Sequence, residues 1–317
     1  MFRLFRAEGG ELVTVDSGKI KDALWIDAIA PTPDEVESLH KEFDLDLQDV
    51  ADCLDPNERS RVEIEETYDL LVMRTLLPEE KNGGMPHPRI QTMPLGIFVT
   101  KGKVVTVRLV PSFSHEELTS DLKRKPKLET KEELFLSLIR KVNRDIERRI
   151  RPLERTIAKI QEDILDPKEA EEVAPHAFTL TNVLIVLNTA LLANLNAMGM
   201  LSKVKHIKLN KDQMDVIEDL ENDIAQLYEM TTIYREIMAN ILDAYESTQA
   251  NSLQLVMKTL TTINLILILP LMITALFSMN LVLPFSDNDP GAFWVVVVIT
   301  TVAVVALWLM LRFRRIL

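Results

Sequence analysis

Gln254, Thr261 and Asn264 recur at helical intervals inside a stretch otherwise built of Leu, Ile, Met and Val. With Met257, Ile268, Leu271 and Ala275 they share one face of a helix. Hydrocarbon rejects unpaired amides, so such a face in a membrane helix is expected to meet protein or water. The face therefore reads as the lining of an ion path, closed at its outer end by Ser278, Met279 and Asn280. The alternative is hydrogen-bond glue between helices. The same face continues through Thr248 and Ser252 and grows more polar on nearing the membrane, which favours the path.

A second group with possible chemistry is Glu218, Asp219 and Asp223. On composition alone it is a solvated helix face. Read functionally, these carboxylates would bind a divalent cation that offsets their repulsion, with Glu79 and Glu80 as partners. Those two precede a flexible loop, Lys81 to Pro86.

Other chemistries find no support. The five histidines lack any pair at metal-ligand spacing, no Gly-rich loop carries Lys-Ser or Lys-Thr, and no nucleophile stands with a base. Neither an enzyme, a catalytic cofactor nor a nucleotide partner is expected. A net charge of −12 argues against nucleic acid and favours cations. Cys53 is the one cysteine, so no disulfide framework or thiolate cluster can form within the chain. The N-terminal residues lack the long apolar core of an export signal, so the soluble part is expected to stay inside the cell.

The elements that must position these residues follow from periodicity. Residues 1–125 read as an α/β domain. Leu24 to Ile26 and Tyr68 to Met73 read as strands, Pro33 opens a helix carrying Val36, Leu39 and Phe43, and Gly96 to Val107 reads as a hairpin. Residues 126–209 read as helical, with one long helix from Lys131 kinked at Pro152 and a second from Val173 to Lys205. Residues 210–280 read as one stalk helix whose part from about 255 to 277 enters the bilayer. Its seam runs from Ile217 through Leu220, Ile224, Leu227, Thr231, Tyr234, Met238, Ile241, Tyr245, Thr248 and Ser252 to Leu255, a 3,4 alternation that predicts several copies packed around an axis. Residues 281–291 form an acidic loop without Lys or Arg, and residues 292–311 a second span anchored by Trp294 and Trp308. Residues 312–317 carry three arginines, which place this tail and the N-terminal part in the cytoplasm.

The chain resembles the CorA-type divalent-cation transporters. The matching pieces are Ala23-Leu24-Trp25-Ile26-Asp27 followed by Pro31, Ile241-Leu242-Asp243-Ala244-Tyr245, Val256-Met257-Lys258-Thr259-Leu260-Thr261, Pro270, and Met279-Asn280. The resemblance implies an α+β cytoplasmic domain, long helices and two C-terminal spans, assembled as a funnel-shaped homopentamer in the cell (inner) membrane. It implies an Asn280 ring that meets the hydrated ion, Gln254 in a pore-amide position, and a gate of Met257, Leu260 and Ile268. Asp219 with Glu79 or Glu80 would sense cytoplasmic Mg²⁺. The implied activity is uptake of Mg²⁺ or a related ion, Co²⁺ or Ni²⁺, down its electrochemical gradient, with Mg²⁺ both cargo and regulator. A Zn²⁺ transporter of the same fold is the alternative, and a non-conducting scaffold or sensor is an alternative of another class. The departure is Ser278 where the family has Gly, in a segment from Pro270 to Asn280 that is one residue short. A mouth of altered width or hydration is the expected result, with Ser fitting the same turn neutrally as the alternative.

Overall fold

A computed structural model describes residues 2–15, 20–77, 90–120, 128–164, 169–279 and 291–313. It divides into two units, residues 1–242 and 243–317.

The first unit is built on a seven-stranded sheet in the order β2-β1-β3-β7-β6-β5-β4. The strands are β1 (Phe2–Glu8), β2 (Glu11–Val15), β3 (Trp25–Ile29), β4 (Arg61–Ile64), β5 (Tyr68–Leu76), β6 (Thr92–Thr100) and β7 (Val104–Arg108). All neighbours are antiparallel except β3 and β7, which run parallel with Trp25 opposite Val104. The expected strands and hairpin are all present. The shared Trp-Ile-Asp run has a structural cause. Trp25 Nε1 donates to Thr106 Oγ1 at 2.9 Å, and Thr106 donates to Asp27 Oδ1 at 2.8 Å. The Arg108 guanidinium grips both oxygens of Asp27 at 3.1 and 2.6 Å. Both charged residues are buried, and the bidentate geometry with its extra hydrogen bonds offsets their desolvation.

Three short helices accompany the sheet. They are α1 (Pro33–Phe43), α2 (Leu47–Asp52) and α3 (His115–Ser120). Thr32 and Glu35 close a capping box on α1, so its start is fixed by reciprocal hydrogen bonds as well as by Pro33. Cys53, just beyond α2, is buried against Gly96, where any Cβ would lie 2.2 Å from its sulfur. Burial pushes its thiol pKa far up, so the lone cysteine is packing material.

The long helix expected from Lys131 is two helices, α4 (Lys131–Ile150) and α5 (Leu153–Asp163). Pro152 lacks the N–H that would continue the ladder, and the chain makes a turn there before α5 starts. The next helix, α6, spans Ala170–Met198 and a 3-10 turn at Leu201–Lys203 follows, where sequence periodicity suggested one run from Val173 to Lys205. Asn194 on α6 is fully buried and completes strand β5 where β4 has ended. Its Nδ2 donates to the Arg74 carbonyl at 3.0 Å and its Oδ1 accepts from the Arg74 N–H at 2.8 Å. The linker into α7 is pinned by His206, whose N–H donates to Asp69 and whose carbonyl accepts from Lys131 Nζ at 2.6 Å.

Helix α7 runs Lys211–Phe277 without interruption, Pro270 included, and Asn210 and Gln213 cap its start reciprocally. Its seam residues Ile217, Leu220, Ile224, Leu227, Thr231, Tyr234, Met238 and Ile241 are all buried inside the chain. Asn143 of α4 donates to the Leu220 carbonyl, and Asn188 of α6 donates to Thr231. This part of the 3,4 alternation is therefore met by the chain's own helices, which corrects the expectation that other copies cover it. Beyond Ile241 the seam opens: Tyr245 and Thr248 are half-buried, and Ser252 and Leu255 are exposed.

The second unit holds the end of α7 and α8 (Gly291–Phe313), whose Arg312 guanidinium lies 5.3 Å from the Trp308 ring centre. Among the described residues three helices are long and apolar enough to cross a membrane, α6, α7 and α8. Helix α6 is tied to the sheet through Asn194, so the spans are the end of α7 and α8.

Candidate ion pathway and regulatory cavity

Helices α7 and α8 each have one covered stripe. On α7 it is Thr262, Ile266, Leu269, Ile273 and Phe277, and on α8 it is Val296, Thr300, Ala303, Leu307 and Leu311. Both repeat at three-to-four spacing, and Thr262 and Leu311 are buried. At 3.6 residues per turn, the face of Gln254, Met257, Thr261, Asn264, Ile268, Leu271 and Ala275 is centred roughly 150° around α7 from that stripe. All seven are exposed. The polar row is therefore not glue within the unit.

Its hydroxyls and amides differ. Thr261 Oγ1 donates to the Met257 carbonyl at 2.8 Å, and Ser252 and Thr259 bond back along the helix in the same way. This satisfies them without a partner and lets an apolar helix carry them. The Gln254 and Asn264 amides cannot reach their own helix so easily, and they are the groups on this face left to meet water or an ion. Met257, Leu260 and Ile268, expected as the gate, are all exposed. Leu260 lies roughly 60° from Met257 around the axis, toward the side away from Gln254.

At the end of α7, Ser278 N–H still bonds helically to the Thr274 carbonyl at 3.0 Å, and its Oγ donates to the Ala275 carbonyl at 2.8 Å. Its backbone does not enter the left-handed region, where only Ala30 and Asp44 are found among the described non-glycine residues. Met279 is exposed. Asn280 and the loop that follows it lie outside the described residues.

The acidic group is only partly brought together. Asp219 and Asp223 line a cavity of about 310 Å³ in the first unit, facing Arg140, Asn143, Arg144 and Glu147 of α4. Glu218 is exposed and lies off this cavity, and Glu79 and Glu80 lie outside the described residues. Burial raises the pKa of Asp223, Glu147 and Asp219 add to the rise, and Arg140 opposes it. Burial lowers that of Arg140, with Arg144 adding and Asp223 opposing. Asn143 Oδ1 is buried with no partner. Among the described residues no group of three or more His, Cys, Asp or Glu is arranged to hold a metal. The α4 residues were not singled out from sequence, although Arg140, Arg144 and Glu147 stand at i, i+4 and i+7 and so share a face.

The architecture matches known proteins across its length. A family described as CorA-like Mg²⁺ transporter protein matches residues 21–315. The chain belongs to this family. The cobalt/magnesium transport protein CorA of Methanocaldococcus jannaschii is 26% identical over 294 residues, covering 89% of this chain and 87% of that one. The complete structure of the CorA magnesium transporter from that organism superposes with a TM-score of 0.78 at 23% identity, covering 98% and 97% of the two chains. The full-length CmaX protein superposes with a TM-score of 0.73 at 18% identity, covering 100% and 97%. A CorA-family chain is a membrane protein, and the two apolar helices α7 and α8 are its spans.

Proposed function

We propose that this protein is a homopentameric channel-like transporter that admits Mg²⁺, with Co²⁺ and Ni²⁺ as related cargo, through the cell (inner) membrane down the electrochemical gradient. The observation that carries the reading is the exposed row of Gln254, Thr261 and Asn264 in an apolar helix, turned away from the stripe that is covered in its own unit. One helix per chain cannot enclose a path, so several copies must surround it. A divalent ion entering gains about 4.6 kcal/mol per 100 mV, which makes a nucleotide unnecessary. Mg²⁺ releases its water reluctantly, and neutral amide oxygens can hydrogen-bond that water without stripping it. Both termini are cytoplasmic on this reading. Cytoplasmic Mg²⁺ closes the path by acting on Asp219 and Asp223, aided by Glu79 or Glu80. What supports this regulatory role is the cavity, where those two acids face Glu147 and two arginines and their charges are incompletely matched.

The test is ion flux into liposomes holding the purified full chain, with Mg²⁺, Co²⁺, Ni²⁺ and Zn²⁺ compared side by side, together with its mass in mild detergent. The expected result is Mg²⁺ uptake by an assembly of about five chains. A stable monomer or dimer, or no flux of any of the four ions, would defeat the proposal. Preference for Zn²⁺ would keep the fold and change the cargo.

A further inference from the structure

After Leu242 the only Lys and Arg residues are Lys258, Arg312, Arg314 and Arg315, all at the cytoplasmic end of the two spans. The covered stripe of α7 begins at Thr262 and that of α8 ends at Leu311, so Lys258 and Arg312 each lie within about one turn beyond it. Both are exposed. The sequence supplies no carboxylate side chain at this level. No Asp or Glu occurs from Ser247 to Ser286 or after Asp289, and Glu246 is roughly 18 Å along α7 from Lys258. A cation held where water gives way to hydrocarbon calls for a counter-charge from its surroundings.

Position selects the source of that charge. With the polar face of α7 turned to the path, α8 stands outside it and its far side meets lipid. Arg312 is on that far side, roughly 140° around α8 from the covered stripe, and Lys258 is roughly 60° around α7 from its own stripe. The Arg312 guanidinium lies 5.3 Å from the Trp308 ring centre, and Phe313 beside it is 94% exposed. An aromatic ring at this depth sits among headgroups, and the cation over its face is held at the same level. The donor fork of a guanidinium matches the oxygens of a phosphate. We propose that Arg312, aided by Lys258, binds the phosphate of an anionic phospholipid of the cytoplasmic leaflet, with Trp308 against its glycerol and upper acyl chain. Arg314 and Arg315 add to the attraction by charge. In a chain of net charge −12 this confines the pull of an anionic surface to the end of the spans. The inference rests on the orientation and path face proposed above, and it adds a selected lipid to the bilayer as solvent.

The test is quenching of Trp308 fluorescence in the full-length protein in phosphatidylcholine vesicles, by brominated phosphatidylglycerol or brominated phosphatidylcholine of the same chain length. Trp294→Phe removes the other tryptophan of the spans, and Trp25 is buried in the sheet and stays silent. Each basic residue near the surface is worth about fivefold in affinity, so phosphatidylglycerol should quench at a mole fraction about fivefold or more lower than phosphatidylcholine. Lys258→Gln with Arg312→Gln should make the two lipids equal, and Arg312→Lys should keep part of the preference. Equal quenching in the native chain would overturn the proposal, and so would a preference that survives the double substitution. Loss of the preference on adding excess inorganic phosphate would also overturn it, by assigning the site to a soluble anion. No ion flux enters the measurement, so its failure and that of the transport reading are told apart.

Discussion

Asn188 reaches from α6 to Thr231 on α7, its Nδ2 donating to Thr231 Oγ1 at 3.0 Å inside the first unit. Thr231 is completely buried, so a residue that reads as part of a seam between copies belongs to the interior of one chain. Thr231→Val removes one of the three acceptors around this Nδ2, the Tyr228 carbonyl and Thr232 Oγ1 remaining, a loss of about 0.5–1.5 kcal/mol. In a unit of this size that lowers Tm by several degrees, with about 2–4 °C per kcal/mol. The mass in detergent should not change. Dissociation without loss of Tm would return this seam to the space between chains.

The apolar pattern made four of the seven strands, β3, β5, β6 and β7, as well as α1 and the continuous α7 legible, because burial on one face imposes a period that sequence displays directly; β1, β2 and β4 were not. It could not say who covers a seam. Leu220 and Ile241 would be apolar against another copy or against α4 and α6 alike, and only the Asn143 and Asn188 hydrogen bonds distinguish these cases. The polar row on α7 was legible because Gln254 and Asn264 stand out against Leu and Ile. The α4 side of the cavity beside Asp219 and Asp223 was not, since Arg140 and Arg144 look like ordinary surface charge until α7 is laid beside them.

Asp49 should make the soluble unit sensitive to pH. Burial pushes its carboxyl up to about 6, with Glu63 adding to the rise, while the Tyr68 hydroxyl, donating at 2.6 Å, and Arg61 oppose it. The folded protein therefore holds this proton more tightly than the unfolded chain. The stability it contributes is full below the ordinary carboxyl range and is lost as pH rises through about 6. Thermal unfolding between pH 4 and 7 should show a smaller fall in Tm toward neutral pH for Asp49→Asn than for the native chain. Parallel curves would place the titration elsewhere.

Arg140 supplies an in-chain counter-charge to Asp223. Arg140→Gln should let cytoplasmic Mg²⁺ inhibit flux at concentrations about three- to tenfold lower, since one opposing charge has left the cavity. Asp219→Ala should act in the other direction and weaken inhibition. If both variants respond to Mg²⁺ as the native protein does, the sensor is not in this cavity.

Ser278 closes the last turn of α7 through its bond to the Ala275 carbonyl. Ser278→Gly removes that bond and frees the backbone where the mouth begins. The Mg²⁺ to Zn²⁺ flux ratio should change about threefold or more, and Asn280→Ala should abolish Mg²⁺ uptake. An unchanged ratio means that Ser fits the turn neutrally.

The proposed ion path requires the amides of α7 to face the ion. Its most direct test is Mg²⁺ uptake by proteoliposomes, driven by an inside-negative potential, comparing the native chain with Asn264→Leu. Leu keeps the helix and its apolar packing but takes away the carbonyl and amide proposed to meet the hydrated ion. The expected result is a fall in the initial rate of tenfold or more with the assembled mass unchanged. Uptake at the native rate in Asn264→Leu would contradict a path lined by this face.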